Sequence, residues 1–363
     1  MKSYAIIMAG GVGARFWPLG SFKLPKQFLP IAGNDQTMLQ QTVKRVRELI
    51  PYERIFVVTN VQYINEVKKQ VPKIPSTNII GEPVGRNTAP CIGLAATMIR
   101  QFDEDGSMFV LPADHLIEDT DKFIETIECG IDFVKTHDAI VTMGIVPTHP
   151  ETGYGYIQFV EDAFFKSGKS SDIEIYKVKT FAEKPSHETA KIFLESGDFL
   201  WNSGMFIFRA DVILEQINKL LPDLSNGLIK IEKALHSSKF GSVLKQVFAE
   251  IKSISIDYGV MEKAKNVYVI KANFRWSDLG SWDEVYRIKQ KDINNNSLMG
   301  NTFVKDSSGN LVISNKGFVG LIGVDDLIVV NSKDGLLICK KERTQEVKEI
   351  VDYLKRKGMT DFI

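Results

Sequence analysis

The sequence predicts an α/β fold with a mixed, mainly parallel sheet flanked by helices, followed by a small C-terminal β unit and a terminal helix. Two observations carry this. Through the first half, short runs rich in Ile, Val and Phe alternate with amphipathic stretches, and after about residue 292 the runs shorten and crowd together. The runs "YAIIMAG", "RIFVVTN", "TNIIGEP", "SMFVLPAD" and "AIVTMGIVP" read as buried strands closed by turn residues. Between them, "TMLQQTVKRVRELI" places Met38, Leu39, Thr42, Val43, Val46 and Leu49 on one helical face. "GRNTAPCIGLAATMIRQF" offers Asn87 and Thr88 as caps just before Pro90. Strand and helix in alternation imply parallel neighbours with helices on both faces. Longer strands follow in "GYGYIQFV" and "EIYKVKTFAEKP", with helices near 186–196, 211–221 and 226–250. The polar stretch "DINNNSLMGN" separates residues 1–292, read as the catalytic domain, from residues 293–363. There "NTFVK", "NLVIS", "GFVGLIG", "LIVVNS" and "GLLICKK" read as short strands ahead of the helix "TQEVKEIVDYLKRKG".

Composition narrows the class of function. The 363 residues hold 45 acids against 45 bases, so no net field draws in nucleic acid. No window reaches the roughly 20 apolar residues of a membrane span. Three scattered cysteines, Cys91, Cys129 and Cys339, are odd in number and lack metal spacing. They read as buried thiols of a reducing compartment, and the chain as cytoplasmic.

The chemistry begins in "MAGGVGARFWPLGSFKLPKQFLP", residues 8–30. Glycines straight after a first buried strand let backbone N–H groups approach an anion. A dinucleotide fingerprint needs a glycine where Phe16 stands, and Pro18 and Pro25 forbid a helix there. The Gly-Lys-Ser/Thr of a P-loop is also missing. What remains is Ala9, Gly10, Gly11 and Gly13, then Arg15, then an extended stretch to Lys26. This suits a nucleoside triphosphate gripped by a planar fork and a point charge, or else a tight turn with solvated charges. Asp114 in "FVLPADHLI" follows a central strand, where open α/β sheets bind ligands, although one aspartate there is often a helix cap. With Asp278 in "FRWSDLGSW" it could hold Mg2+, the ion taking its other ligands from water and phosphate. His115 reads as a packing or hydrogen-bonding residue, because hard Mg2+ prefers oxygen. Polar clusters that could read a substrate follow: Glu82, Arg86, Asn87 and Thr88 in "GEPVGRNTAP", Gly153 and Tyr154 in "ETGYGYI", Glu183 and Lys184 in "FAEKP", and Asn202 in "LWNSGMF".

Taken in order, "AGGVGARFWPLGSFKLPKQFLP", "EPVGRNTAP", "VLPADHLI", "HPETGYGYI", "FAEKP", "WNSGMFIF", "SIDYGVMEK" and "WSDLGSW" resemble the mannose-1-phosphate guanylyltransferases of the bacterial sugar-nucleotidyltransferase family. The tail "GVDDLIVVNSKDGLLICKKERTQEVKEIV" resembles theirs as well. The resemblance implies a Rossmann-like nucleotide-diphospho-sugar transferase fold. It also implies transfer of GMP from GTP to α-D-mannose 1-phosphate, with Mg2+ as cofactor; a homodimer is expected besides, the short β tail and helix being a reasonable place for subunit contact. Arg15, Lys26 and Lys184 are then expected to be catalytic, and Asp114 and Asp278 to bind metal. Gly153, Glu183 and Asn202 are expected around the mannose. Ala9, Gly10, Gly11 and Gly13 fall to the nucleotide, with Glu82, Asn87 and Thr88 on its guanine. Some relatives carry a fused cupin-type isomerase domain after this tail; the chain ends at Ile363, and no isomerase activity is expected. Rival readings are transfer of another nucleotide, such as dTTP or UTP with glucose 1-phosphate, a catalytically silent regulatory homologue, and a nicotinamide dehydrogenase. Retention of all four charged residues weakens the second, and Phe16 weakens the third.

Overall fold

The structure, a computed structural model, describes residues 1–11, 13–31, 35–166 and 173–363. In chain order the elements are β1 (Ser3–Ala9), α1 (Met38–Val46), β2 (Ile55–Asn60), α2 (Ile64–Gln70), β3 (Ile79–Glu82), α3 (Thr88–Arg100), β4 (Ser107–Pro112), β5 (Leu116–Ile117), α4 (Thr120–Thr136), β6 (Ile140–Ile145), β7 (Gly155–Lys166) and β8 (Glu174–Glu183). There follow α5 (His187–Ser196), β9 (Phe199–Arg209), α6 (Ala210–Leu220), α7 (Pro222–Ala234), α8 (Phe240–Glu250), β10 (Val267–Ala272), β11 (Trp276–Ser277), α9 (Trp282–Ile288), β12 (Ser297–Lys305), β13 (Leu311–Ile322), β14 (Leu327–Asn331), β15 (Leu336–Lys340) and α10 (Val347–Arg356). They divide between two compact units. The first holds Met1–Gly10, Val43–Ala113 and Ile117–Trp276, and the second Gly11–Thr42, Asp114–Leu116 and Ser277–Ile363.

The first unit is built on a nine-stranded sheet of order β3-β2-β1-β4-β9-β6-β10-β8-β7 among the described residues. The five runs read as buried strands are β1, β2, β3, β4 and β6. Pairing is parallel across β3-β2-β1-β4 and between β6 and β10. The sheet turns mixed where β9 enters antiparallel to both β4 and β6, and where β8 and β7 complete the far edge antiparallel. The continuous apolar runs have a physical reason, since both faces of the sheet are covered. Met108 and Val110 of β4 join Tyr4, Ile6, Phe56 and Val58 in a core shared with α3, α6, α7 and α8. Phe109, between them in sequence, points the other way and meets Phe123 of α4 with ring centroids 5.8 Å apart.

The single helical stretch expected over 226–250 is two helices. Pro222 opens α7 at its first turn. Near its end Ser237 Oγ donates to the Ala234 carbonyl and accepts from Lys239 N–H, which diverts the backbone before α8 begins.

The second unit centres on a four-stranded sheet, β12-β13-β14-β15. Here "NLVIS" and "GFVGLIG" are one strand, β13, whose pairing with β12 shifts register between Gly300 and Thr302. The first three strands are parallel and separated by short turns. Buried asparagines stitch those turns together. Asn310 Nδ2 donates to Asn296 Oδ1 at 3.0 Å and to the Val324 carbonyl, while Asn310 Oδ1 accepts from Leu327 N–H. The polar stretch "DINNNS" thus supplies a fully buried Asn296. Beneath the strands, Leu311, Ile313, Ile328 and Val330 pack with Phe16, Trp17, Trp282 and the α10 residues Val347, Val351 and Leu354. Trp282 Nε1 donates to the Trp17 carbonyl, and the Phe16 and Trp282 rings meet at 4.9 Å, edge on. Such a ring pair adds about 1 kcal/mol beyond its burial.

Candidate active site

The glycine loop reaches the second unit at Gly11, whose carbonyl accepts from Gln27 Nε2 at 3.0 Å. Gly13 lies at φ +58°, and a Cβ there would sit 2.6 Å from the backbone nitrogen of Lys26, so only glycine fits this crossing of the loop over itself. A single 3-10 turn, Ala14–Phe16, then buries Phe16 and leaves Arg15 exposed. A second, Lys26–Phe28, buries Lys26 to 5% exposure.

A buried ammonium needs anionic or carbonyl oxygens around it, and Lys26 has both. Its Nζ donates to Asp114 Oδ2 at 2.9 Å and to the backbone carbonyl of Asp278, and it stands 5.5 Å from the Phe16 ring centroid. Burial alone would raise the Asp114 carboxyl, but the Lys26 ammonium, and after it His115, outweigh burial and hold it below its ordinary value. Arg15, Lys26, Asp114 and Asp278, together with Gly13 and Lys348, line one cavity of about 380 Å³. The structure therefore brings together four charged residues that are distant in sequence.

Two acids were missed by the sequence reading. Glu284, on α9, accepts from Gly280 N–H at 3.1 Å and from Ser277 Oγ at 3.0 Å. Burial, then the neighbouring Asp278 charge, pushes its carboxyl up to about 7. No group of three or more His, Cys, Asp or Glu side chains forms a closed metal centre among the described residues. A divalent ion such as Mg2+ does not need one, since it binds through one or two carboxylates plus phosphate oxygens. The all-oxygen donor set of Asp114 and Asp278, with a second carboxyl crowding Asp278, fits such an ion. The other missed acid, Asp257, belongs to the first unit.

That unit gathers the residues expected around a sugar. Asn202 Nδ2 donates to Asp257 Oδ1 at 2.8 Å, and Asn202 Oδ1 accepts from Gly204 N–H. Burial and the Glu183 charge push Asp257 up to about 6. Lys184 Nζ donates to Glu183 Oε1, and Lys184 N–H donates to the Tyr154 carbonyl, beside Gly153. Burial works against the Lys184 charge, but the Glu183 bond prevails and raises its pKa. The other carboxylate oxygen of Glu183 is buried without a partner among the described residues. It lies 2.3 Å from where a Cβ on Gly155 would stand, so Gly155 makes room for it. Tyr154 packs edge-on between Trp201 and Trp276, at 5.2 Å and 5.3 Å.

The residues expected at the base are placed differently from one another. Glu82, at the end of β3, is 5% exposed with Oε1 unpartnered among the described residues, and burial pushes it up to about 8. Its Oε2 faces Gly10, 3.7 Å from where a Cβ would stand, while the Ala9 carbonyl accepts from Thr59 Oγ1. Of the two residues offered as caps, Asn87 is one and Thr88 is not. Asn87 caps α3 by accepting from Thr88 N–H, and Thr88 Oγ1 accepts from Ile256 N–H at 2.8 Å.

A family model described as nucleotidyl transferase matches residues 4–295, and one described as mannoseP isomerase/GMP-like beta-helix domain matches residues 300–354. A mannose-1-phosphate guanylyltransferase of Salmonella muenchen is 41% identical over 98% of this chain and 74% of its own. The chain belongs to the mannose-1-phosphate guanylyltransferase family. Another member, from Escherichia coli K12, is 38% identical over 98% of this chain and 74% of its own. A solved structure described as a mannose-1-phosphate geranyltransferase from Thermus thermophilus superposes with a TM-score of 0.85 at 32% identity, over 98% of this chain and 100% of that one. Family membership fixes the fold as that of nucleotide-sugar transferases, with the parallel strands β12 to β14 matching the family's β-helix domain.

Proposed function

We propose that the chain transfers GMP from GTP to α-D-mannose 1-phosphate, releasing GDP-mannose and pyrophosphate. The observation that carries this reading is the Lys26 ammonium held against Asp114 in a cavity also lined by Arg15 and Asp278. Such a pocket suits the negative charge of a triphosphate, and the proposed transfer calls for neither a general base nor a protein nucleophile. A phosphate monoester with a second pKa near 6 is already largely dianionic at neutral pH. Its oxygen bonds to the α-phosphorus in line as the bond to the bridging oxygen breaks, and pyrophosphate leaves with the electron pair.

Catalysis is then positioning and charge neutralisation. Loop N–H groups, Arg15 and Lys26 hold the triphosphate and steady the charge gathering on pyrophosphate. Asp114 and Asp278 would hold Mg2+, which when bound supplies further neutralisation at the phosphates. In the first unit, Glu183, Asn202 and Gly153 are assigned to the mannose hydroxyls and Lys184 to its phosphate. Glu82 is assigned to the guanine N–H groups, with Asn87 and Thr88 shaping its surroundings. The proposed division puts catalysis on residues 1–292 and the β unit on 293–363. A cytoplasmic location is supported by the cysteines, Cys91 and Cys129 buried and Cys339 half-buried, as thiols of a reducing compartment are. No helix among the described residues is long and apolar enough to cross a membrane. Exposed Phe303, Phe318, Ile322 and Ile338 on the β unit support a homodimer, which light scattering decides.

The reading is tested by measuring pyrophosphate release from each of four nucleoside triphosphates with mannose or glucose 1-phosphate, with and without EDTA. GTP with mannose 1-phosphate is expected to be fastest, and EDTA to abolish release. A preference for dTTP or UTP with glucose 1-phosphate would replace it with the rival transfer.

A further inference from the structure

We infer that Lys348 is a third cation of the triphosphate pocket and holds the outgoing pyrophosphate. This rests on the function proposed above and adds a residue from the C-terminal tail, far in sequence from the glycine loop.

Position is the first argument. Lys348 lies on the opening turn of α10 and lines the same cavity of about 380 Å³ as Arg15, Lys26, Asp114 and Asp278. The helix that carries it is firmly placed. Val347, Val351 and Leu354 form its buried stripe and pack with Phe16 and Trp17, the residues directly after Arg15. Trp17 Nε1 donates to the Phe362 carbonyl at 2.8 Å beyond the helix, and Lys355 Nζ stands 4.2 Å from the Phe22 ring centroid. Lys348 follows Val347, so it emerges at the border of the apolar stripe, beside the loop.

Charge is the second. Three cations of this segment have carboxylates, Lys341 with Asp326 at 2.7 Å, Arg343 with Glu346, and Lys355 with Asp352 at 3.8 Å, whereas Lys340, Arg356 and Lys357, which do not line the cavity, have none among the described residues. The Lys348 side chain makes no ion pair or hydrogen bond among the described residues, and the same holds for Arg15. The cavity thus has one cation already matched to Asp114 and two whose anion is not supplied by the described residues. Asp114 and Asp278 would hold the divalent ion and by themselves give phosphate oxygens no counter-charge. The unmatched cations are left for the oxygens of the β- and γ-phosphates, where negative charge accumulates as the bond breaks. A lysine suits this place, because its flexible stem and compact charge can follow a departing group.

The test is calorimetric titration of inorganic pyrophosphate with Mg2+ into the full-length protein, its Lys348→Ala and Lys348→Arg variants, and a Lys355→Ala control from the same helix. Kinetics are measured in parallel. Lys348→Ala is expected to weaken pyrophosphate binding about tenfold, as loss of one charge-assisted contact would. It should lower kcat/KM for GTP to a similar degree, with KM for mannose 1-phosphate and Tm unchanged. Lys348→Arg should recover most of the loss, and Lys355→Ala should match the wild type. Wild-type pyrophosphate affinity in Lys348→Ala, or an equal loss in Lys355→Ala, overturns the inference. A wild-type protein that releases no pyrophosphate from GTP and mannose 1-phosphate sinks the proposed function instead, and the titration still decides Lys348.

Discussion

Lys26 carries a charge at 5% exposure, and its environment sets what its loss would do. Lys26→Ala removes the partner of Asp114 and the cation proposed for the phosphates together. We expect kcat to fall by about 10²-fold or more, with a smaller effect on KM for mannose 1-phosphate. A change confined to KM would place the lysine in ground-state binding only. Glu82 makes a different prediction. Its ordinary value is 4.5 and burial pushes it up to about 8. Between those values the folded chain keeps a proton that the unfolded chain has released. The stability this carboxyl contributes is therefore complete below pH 4.5 and lost as pH rises through 8. Wild-type Tm should fall more between pH 5 and pH 8 than that of Glu82→Gln; parallel profiles would show an ordinary carboxyl. The residues legible in the sequence, such as Arg15, Asp114 and Asp278, sit in loops at strand ends, where a charge stands out against glycine and apolar neighbours. Glu284 and Lys348 sit on amphipathic helices among many similar charges. Only the fold singles them out.

At the level of elements, apolar runs located the strands because a sheet covered on both faces leaves no polar alternation to confuse with a helix. Periodicity carries no direction, and so β9 could not be foreseen as the antiparallel strand between β4 and β6. The break between α7 and α8 depended on one serine hydroxyl, a signal too local to weigh against two helical patterns. The asparagine run, read as the polar stretch ahead of the β unit, is partly buried. Polar composition marks solvent only when the polar groups lack internal partners, and Asn296 and Asn310 have them across the turns of parallel strands. Asn310→Ala would leave the part-buried Leu327 N–H without its acceptor and the buried Asn296 Oδ1 with only the backbone N–H of residue 310. A loss of about 2 kcal/mol or more follows, read as a fall in Tm. A Tm equal to the wild type would mean that the stack contributes nothing net.

Across the molecule, family membership supplies what composition could not. A balance of 45 acids and 45 bases says only that binding is local, and the geometry then shows where positive charge concentrates. The 3-10 turn of Arg15, the buried Lys26, the aspartates proposed for the metal and the terminal helix all belong to the second unit, which is assembled from three separate stretches of chain. Sequence order hides this, because it lists the glycine loop with the first strand and Lys348 with the tail. Catalysis as proposed depends on that second unit receiving the triphosphate. A crystal structure with GTP and Mg2+ tests it most directly: all three phosphorus atoms should lie in the cavity lined by Gly13, Arg15, Lys26 and Lys348, with the ion on Asp114 and Asp278. Phosphates bound elsewhere, with these side chains untouched, would contradict it.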